Sequence, residues 1–458
     1  MAAGITLSFS TGFFQVSQFR LWFRATAGSL LSARRKESEN ASFSRFSAIC
    51  TLLAATIGVG NIAGVATAIA MGGPGAVFWM WVAAFLSSSI AFAENTLGVF
   101  YRRKGKNGEW QGGAMYYLSD GCKSRIAADV FSFFCILASF GMGNAAQANT
   151  IAQNLRAALP CQVLQEHRVS GTDLYMLTVG VVLAIAVGAV LFGGAARIGK
   201  VTERIVPFMV VGYMLLSAVV VLCGSESLYE ALCSVFRHAF SLKSAAGGTA
   251  GFAICRAAAW GLRRGVFSNE AGLGASVCVG ACSDRSEPVE QGMWGIFQVF
   301  TDTFVICTLT ALVILCSGCV DLESGSLTAD FAETALVGEA YSRVFGSGGG
   351  VFIALAILIF AFSTVIGWSF YGLKAWEYLF GGGTSIYKTL YVVAVMVGAN
   401  IDMSLTFALC DLCNALMLLP NLSGVFYMSG TVRRITQNYK QRVIMGRDVK
   451  PMLSYITK

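Results

Sequence analysis

Apolar runs long enough to cross a bilayer recur along the whole chain, separated by short polar or basic interruptions. A helix needs roughly 20 mostly apolar residues to span the hydrocarbon core. The pattern predicts ten spans, at about 45–70, 75–101, 126–159, 174–192, 202–223, a discontinuous one within 228–265, 291–318, 350–380, 386–400 and 402–430. Helices rather than a barrel fit runs of this length, and each satisfies its own backbone in lipid. The fold class is therefore all-α integral membrane. Residues 1–43 differ. Arg20, Arg24, Arg34, Arg35 and Lys36 interrupt an amphipathic stretch that is too charged to span and lacks the core of a signal peptide. It predicts an interfacial helix. The domain division is 1–43 N-terminal segment, 44–430 transmembrane domain and 431–458 basic tail.

Composition sharpens this. Of 458 residues, 55% are hydrophobic and only 13% charged, with mean hydropathy +0.65, against about a quarter charged in a soluble domain. The net charge of +8 would suit nucleic acid if the basic residues were spread out, but they cluster. Arg102, Arg103, Lys104 and Lys106 follow the second span; Arg197, Lys200 and Arg204 join the fourth to the fifth; Arg433, Arg434, Lys440, Arg442 and Arg447 open the tail. Even span counts put all three groups on one side, the cytoplasm by the positive-inside rule. A plasma membrane location (the inner membrane of a bacterium) with a cytoplasmic C-terminus follows. Most of the fourteen cysteines lie within apolar segments, which argues against a disulfide framework. Two histidines, His167 and His238, leave metal catalysis little to work with.

The first span reads Thr56-Ile57-Gly58-Val59-Gly60-Asn61 at mid-membrane depth. Small residues at four-residue spacing would mean close helix packing. Glycines two apart beside Thr56 and Asn61 instead predict a break in the helix. Such a break frees amides from one half, which favour a carboxylate, and carbonyls from the other, which favour a cation. An inverted repeat places a second break five spans later. Gly247-Gly248-Thr249-Ala250-Gly251 fits it, with Arg263 and Arg264 marking the cytoplasmic end and Asn269-Glu270-Ala271-Gly272 forming a loop or gate. The competing placement is Phe267-Ser268-Asn269 itself.

Several blocks are distinctive in combination: Gly58 to Thr67, Gly72-Gly73-Pro74-Gly75 with Phe78-Trp79-Met80-Trp81, and Gly112 to Tyr117. Gly143-Asn144 with Gln147-Ala148-Asn149, Ser268-Asn269-Glu270-Ala271-Gly272, Gln291-Gly292 with Trp294-Gly295, and Ala361 to Thr364 with Gly367-Trp368 continue the series. Their order from about residue 44 to 430 resembles the alanine/glycine:cation symporter family. The resemblance implies a LeuT-type 5+5 inverted repeat of about ten transmembrane helices with broken first and sixth spans, importing alanine or glycine with sodium. It implies that the Val59 and Gly60 amides meet the substrate carboxylate. It also implies a sodium site built from the carbonyls of Ala54, Ile57 and Phe360 and the hydroxyls of Ser363 and Thr364. Three departures stand out: Val59 where the family usually has Thr, Gln298 where it has an acid, and an N-terminal helix largely absent.

Asn144 and Gln147, three apart on the third span, are candidates for substrate contact, or else interhelical hydrogen bonding. Trp368 falls four residues after Thr364 on one helix face and could cap a methyl-sized pocket, or simply pack. The expected substrate set is thus Thr56, Gly58, Val59, Gly60, Asn61, Asn144, Gln147, Thr364, Trp368, Gly247, Gly248 and Thr249. Among intramembrane carboxylates, Asp302 is the best candidate for proton coupling, the alternative being a salt bridge with Arg256. The expected partners are a small neutral amino acid, sodium and membrane lipid, with no cofactor and no nucleic acid, acting as a monomer. A proton-coupled or cation-independent permease of the same fold is the rival. A membrane enzyme or a channel is the rival from another class, and no convergent catalytic constellation is visible.

Overall fold

A computed structural model describes residues 1–30, 43–105, 108–160, 168–169, 172–240, 250–284, 286–329, 333–401 and 403–455. Among these, six helices are individually long and apolar enough to cross a membrane, and up to eight when two bent pairs count as one span each. In chain order the helices that stand at the ten expected spans are Arg45–Thr56 with Ala63–Gly72, Gly75–Phe100, Arg125–Ala158, Leu174–Leu191, Gly194–Cys223, Ala250–Asn269 with Val277–Ala281, Pro288–Cys316, Ser347–Phe380, Thr384–Gly398 and Met403–Tyr427. The fourth and fifth spans turn apolar side chains outward, Ile185 at 68% exposure and Phe208 at 71%. Apolar surface of that kind, on helices this long and apolar, suits a lipid-facing side. Every described cysteine is a free thiol.

The chain has a basic end. Arg102 Nη1 donates to the carbonyls of Ala281 (3.2 Å) and Ser283 (2.9 Å), Ser44 Oγ to Glu203 (3.1 Å), and Arg442 Nη2 to Glu287 (2.6 Å). The loops after the second and fourth spans and the tail therefore gather on one face, as the span parity requires. The opposite end holds His238 against the Leu322 carbonyl.

The N-terminal segment departs from a single interfacial helix. It folds as Ala2–Thr11, Phe14–Ser17, Phe19–Ala25 and Ala27–Leu30, the first capped by Gly12 in the left-handed region (φ 69°). Leu7, Phe14 and Trp22 are buried, and Ser89 Oγ donates to the Gly4 carbonyl (2.9 Å). The segment is docked on the second span because its apolar residues find a protein face rather than headgroups. The tail likewise continues as a helix, Ser429–Tyr439, and returns so that the Tyr455 amide bonds the Phe100 carbonyl (2.8 Å).

The first span bends by 59° at its break. The sixth does not end where its arginines suggested. Its helix runs unbroken from Ala250 to Asn269, and the interruption is 270–276, buried at the centre of the bundle. The break lies just past the competing placement, whose Phe267, Ser268 and Asn269 form the last turn of that helix; Gly247, Gly248 and Thr249 lie outside the described residues. Asn269, Glu270, Ala271 and Gly272 are all buried rather than forming a loop at the surface. Arg263 and Arg264 sit within the span, where Arg263 pairs with Asp411 of the tenth span. A charge paired across two spans in this way, though its side chain is exposed, reports nothing about sidedness. Two further irregularities are π-turns at Gly141–Ala145 and Phe300–Cys307, a feature that recurs at functional sites.

Candidate functional site

The site starts from one amide. In an uninterrupted helix the Gly58 N–H would donate to the Ala54 carbonyl. Here Ile57 (φ −80°, ψ 93°) and Gly58 (φ −135°, ψ −153°) leave the helical region, and the Gly58 amide donates instead to Asn61 Oδ1 (2.9 Å). A single 3₁₀ turn follows, closed by Asn61 N to the Gly58 carbonyl (3.2 Å) and Ile62 N to the Val59 carbonyl (3.1 Å). The Val59 and Gly60 amides precede the first bond of that turn, so they are helix-terminal donors without an intrahelical acceptor.

The Ala54 carbonyl, deprived of its amide, accepts from Ser363 Oγ (3.3 Å) and Thr364 Oγ1 (3.1 Å) of the eighth span. Both hydroxyls also donate to the Phe360 carbonyl, at 2.8 and 3.0 Å. All four groups are buried. Close approach makes this possible: a Cβ on Gly58 would lie 2.6 Å from Thr364 Oγ1, and one on Gly367 would lie 2.7 Å from Ala55 Cβ. Four of the five expected cation ligands thus converge, and Ile57 is buried at the turn beside them. Neutral oxygens alone suit a hard monovalent cation.

On the other side of the break a cavity of ≈ 20 Å³, measured to water centres, is walled by Val59, Gly60, Gln147, Arg264, Phe267 and Cys410 among others. Gln147 donates Nε2 to the Met142 carbonyl (3.2 Å), while its buried Oε1 has no partner. Val59, Gly60 and Gln147 are therefore brought together around one void. Of the remaining expected substrate residues, those among the described residues do not line it. Thr56 Oγ1 bonds back to the Leu52 carbonyl (3.1 Å), as a helical threonine does. Asn144 Nδ2 binds the Tyr391 carbonyl (2.8 Å) of the ninth span. Trp368 packs on Gly143, where a Cβ would lie 2.3 Å from its own, and its Nε1 donates to Glu270 (2.9 Å). Thr364 belongs to the carbonyl cluster. Asn61 faces away from the cavity, toward the seventh span.

That last contact reveals what the sequence reading missed. Asn61 Nδ2 donates to Asp302 Oδ1 (2.6 Å), while Ser268 Oγ (2.9 Å) and Thr303 Oγ1 (2.8 Å) donate to Oδ2. Asp302 is fully buried and ties the first break to the end of the Ala250–Asn269 helix. The proposed pairing with Arg256 does not form; that side chain is exposed and bonds the Met71 carbonyl. A second carboxylate, Glu94, holds the other side of the sixth break, accepting from the Gly272 amide (3.3 Å) and from Asn421 Nδ2. The only signals for these contacts were polar residues inside apolar runs, which do not name their partners.

Among proteins of known name, the sodium/alanine symporter AgcS of Methanococcus maripaludis is 36% identical over 446 residues, covering 96% of this chain and 93% of that one. The probable sodium/glutamine symporter GlnT of Bacillus subtilis is 34% identical over 451 residues, covering 98% and 88%. Among solved structures, MhsT in complex with L-phenylalanine superposes with a TM-score of 0.57 at 14% identity, over 88% of this chain and 99% of that chain. The likeness is one of fold: a LeuT-type inverted repeat broken in its first and sixth spans. The sodium:alanine symporter family model matches residues 1–452, and the chain belongs to that family.

Proposed function

We propose that the chain imports a small neutral amino acid, alanine or glycine, together with sodium by alternating access. Family membership makes it a cation-coupled amino-acid transporter of the membrane rather than an enzyme; the ion, the substrate and the direction are the proposal. One observation supports it above the others: the unwinding at 57–60 frees the Ala54 carbonyl on one side and the Val59 and Gly60 amides on the other. The carbonyl, with Phe360, Ser363 and Thr364 and with Ile57 at the turn, would hold sodium. The amides would hold the carboxylate, and Gln147 Oε1 is a ready acceptor for the ammonium. The relative GlnT is named for glutamine, so family membership does not choose the side chain. The basic end faces the cytoplasm in this reading, in the inner membrane of a bacterium, and the chain works as a monomer.

Labelled alanine uptake into proteoliposomes, with and without a sodium gradient, tests the ion. Ser363→Ala with Thr364→Ala is expected to weaken apparent sodium affinity far more than it lowers expression. Each hydroxyl bonded to a charge is worth about 1.5 kcal/mol, or roughly tenfold, and the pair somewhat less than a hundredfold because both share the same carbonyls. Unchanged sodium dependence in that double variant removes the site assignment. Uptake indifferent to replacing sodium with potassium would favour a proton-coupled or cation-independent permease. Competition by glycine, serine and D-alanine ranks the substrates.

A further inference from the structure

Three carboxylates are buried around the broken spans, and they are not equivalent. Asp302 accepts from three side chains, and Glu94 from an amide and an asparagine. Among the described residues Glu270 accepts one hydrogen bond, from the neutral indole of Trp368, and its Oε2 finds no partner. It is 2% exposed, and among the described residues no cation pairs with it. Its backbone is also held in the left-handed region (φ 56°), where a non-glycine residue is strained, so the side chain is kept inward by the fold. Among the described residues the titratable groups that act on it or feel it are Asp302 of the seventh span, Tyr371 of the eighth and Cys135 of the third, none of them positive. Tyr371 is fully buried, its hydroxyl is likewise without a partner, and its ring lies 5.4 Å from that of Trp368.

A carboxylate has about four acceptor positions to fill, whereas a carboxylic acid needs fewer donors and offers one of its own. An ion with one donor and no counter-charge, deep in the bundle, is the costliest arrangement available. We propose that Glu270, at the sixth-span break beside Trp368 and Tyr371, is a proton-binding site, occupied when the transporter is closed. The proton enters Oε2 from water while the bundle is open and returns to water when it reopens. Closure is thereby linked to protonation in addition to sodium. This rests on the reading of the chain as an alternating-access transporter.

The test is alanine uptake at saturating sodium from about pH 6 to about pH 9, for the wild type and Glu270→Gln. One proton bound per closure makes the wild-type apparent affinity fall by up to about tenfold per pH unit above the midpoint. Glu270→Gln, a permanent mimic of the acid, is expected to be flat over the same range. A flat wild type, or a Glu270→Gln profile that follows the wild type, overturns the proposal. If Glu270→Gln folds but does not transport, infrared difference spectra of the purified proteins decide instead. A protonated-carboxyl band at neutral pH that the substitution removes supports the site, and an unchanged band refutes it. If that variant cannot be purified, Glu270→Asp takes its place in both measurements, and a shifted band or profile supports the site where an unshifted one refutes it. Sodium dependence measured at one fixed pH fails separately, so loss of the symport reading is distinguishable from loss of the proton site.

Discussion

The contact between Asn61 and Asp302 can be inverted, and the structure says what each step should do. Asn61 receives the Gly58 amide on its oxygen and gives its nitrogen to Asp302, 2.6 Å away. Asn61→Asp keeps the acceptor for the amide but removes the donor and sets carboxylate against carboxylate. Losing a hydrogen bond to a buried charge costs about 1.5–3 kcal/mol, and the repulsion persists unless one group takes up a proton. Asp302→Asn is milder, about 1 kcal/mol, because Ser268 and Thr303 can still donate to the amide oxygen. Joined, the two changes restore the pair with its polarity reversed: Asp at 61 accepts from both Gly58 and an Asn at 302.

The double variant should therefore recover about 1.5–3 kcal/mol relative to the sum of the singles, about 10- to 150-fold in a folded-to-unfolded ratio. Unfolding of the detergent-solubilised proteins reads the stability, and expression-normalised alanine uptake reads whether the first break has its working shape. Strict additivity in both measurements would mean the contact does not hold the break, and the account of the site built on it would fail.

Other expectations follow from the same geometry. Gly58→Ala, whose Cβ would lie 2.6 Å from Thr364 Oγ1, should destabilise by about 1–3 kcal/mol and lower apparent sodium affinity in uptake assays; an unaltered affinity would show that the two spans need not approach so closely. Cys410 lines the cavity, so a small thiol reagent should block uptake, alanine should protect, and Cys410→Ser should be insensitive. Inhibition that persists in Cys410→Ser would place the reactive thiol elsewhere.

The span order was legible because each run of apolar residues is a local property, and the first break because Gly58, Gly60 and Asn61 disobey it together. The resemblance found the carbonyl–hydroxyl cluster; periodicity alone does not bring Ala54 and Thr364 to within hydrogen-bonding distance across 310 positions of chain. The sixth break was harder. Glycines at 247–251 look like an interruption, whereas Ser268-Asn269-Glu270 is composed of residues a helix can accommodate. What unwinds the chain after Asn269 is tertiary: Asp302 takes Ser268, Glu94 takes the Gly272 amide, and Trp368 takes Glu270. Trp368 was assigned to a pocket for the same reason in reverse. Of the two readings open to it, capping a pocket or packing, the structure has it packed on Gly143 and bonded to Glu270.

Breaking a helix in lipid strands polar backbone groups at several kcal/mol each, so the fold must either satisfy them or leave them to a ligand. Asn61 satisfies the Gly58 amide, and Glu94 does the same for Gly272. Among the described residues the Val59 and Gly60 amides and the Gln147 oxygen have no such relief, and the hydroxyls at the Ala54 carbonyl can rotate toward an ion. Ion and zwitterion would then stabilise one closed arrangement from opposite sides of the same unwound turn. Two ligands acting through one state must each raise the other's affinity by the same factor. Calorimetric titration of alanine at low and high sodium, and of sodium with and without alanine, should return equal ratios in the range of about 5- to 150-fold. A ratio of one, with both ligands bound, would mean that the unwound turn does not couple them.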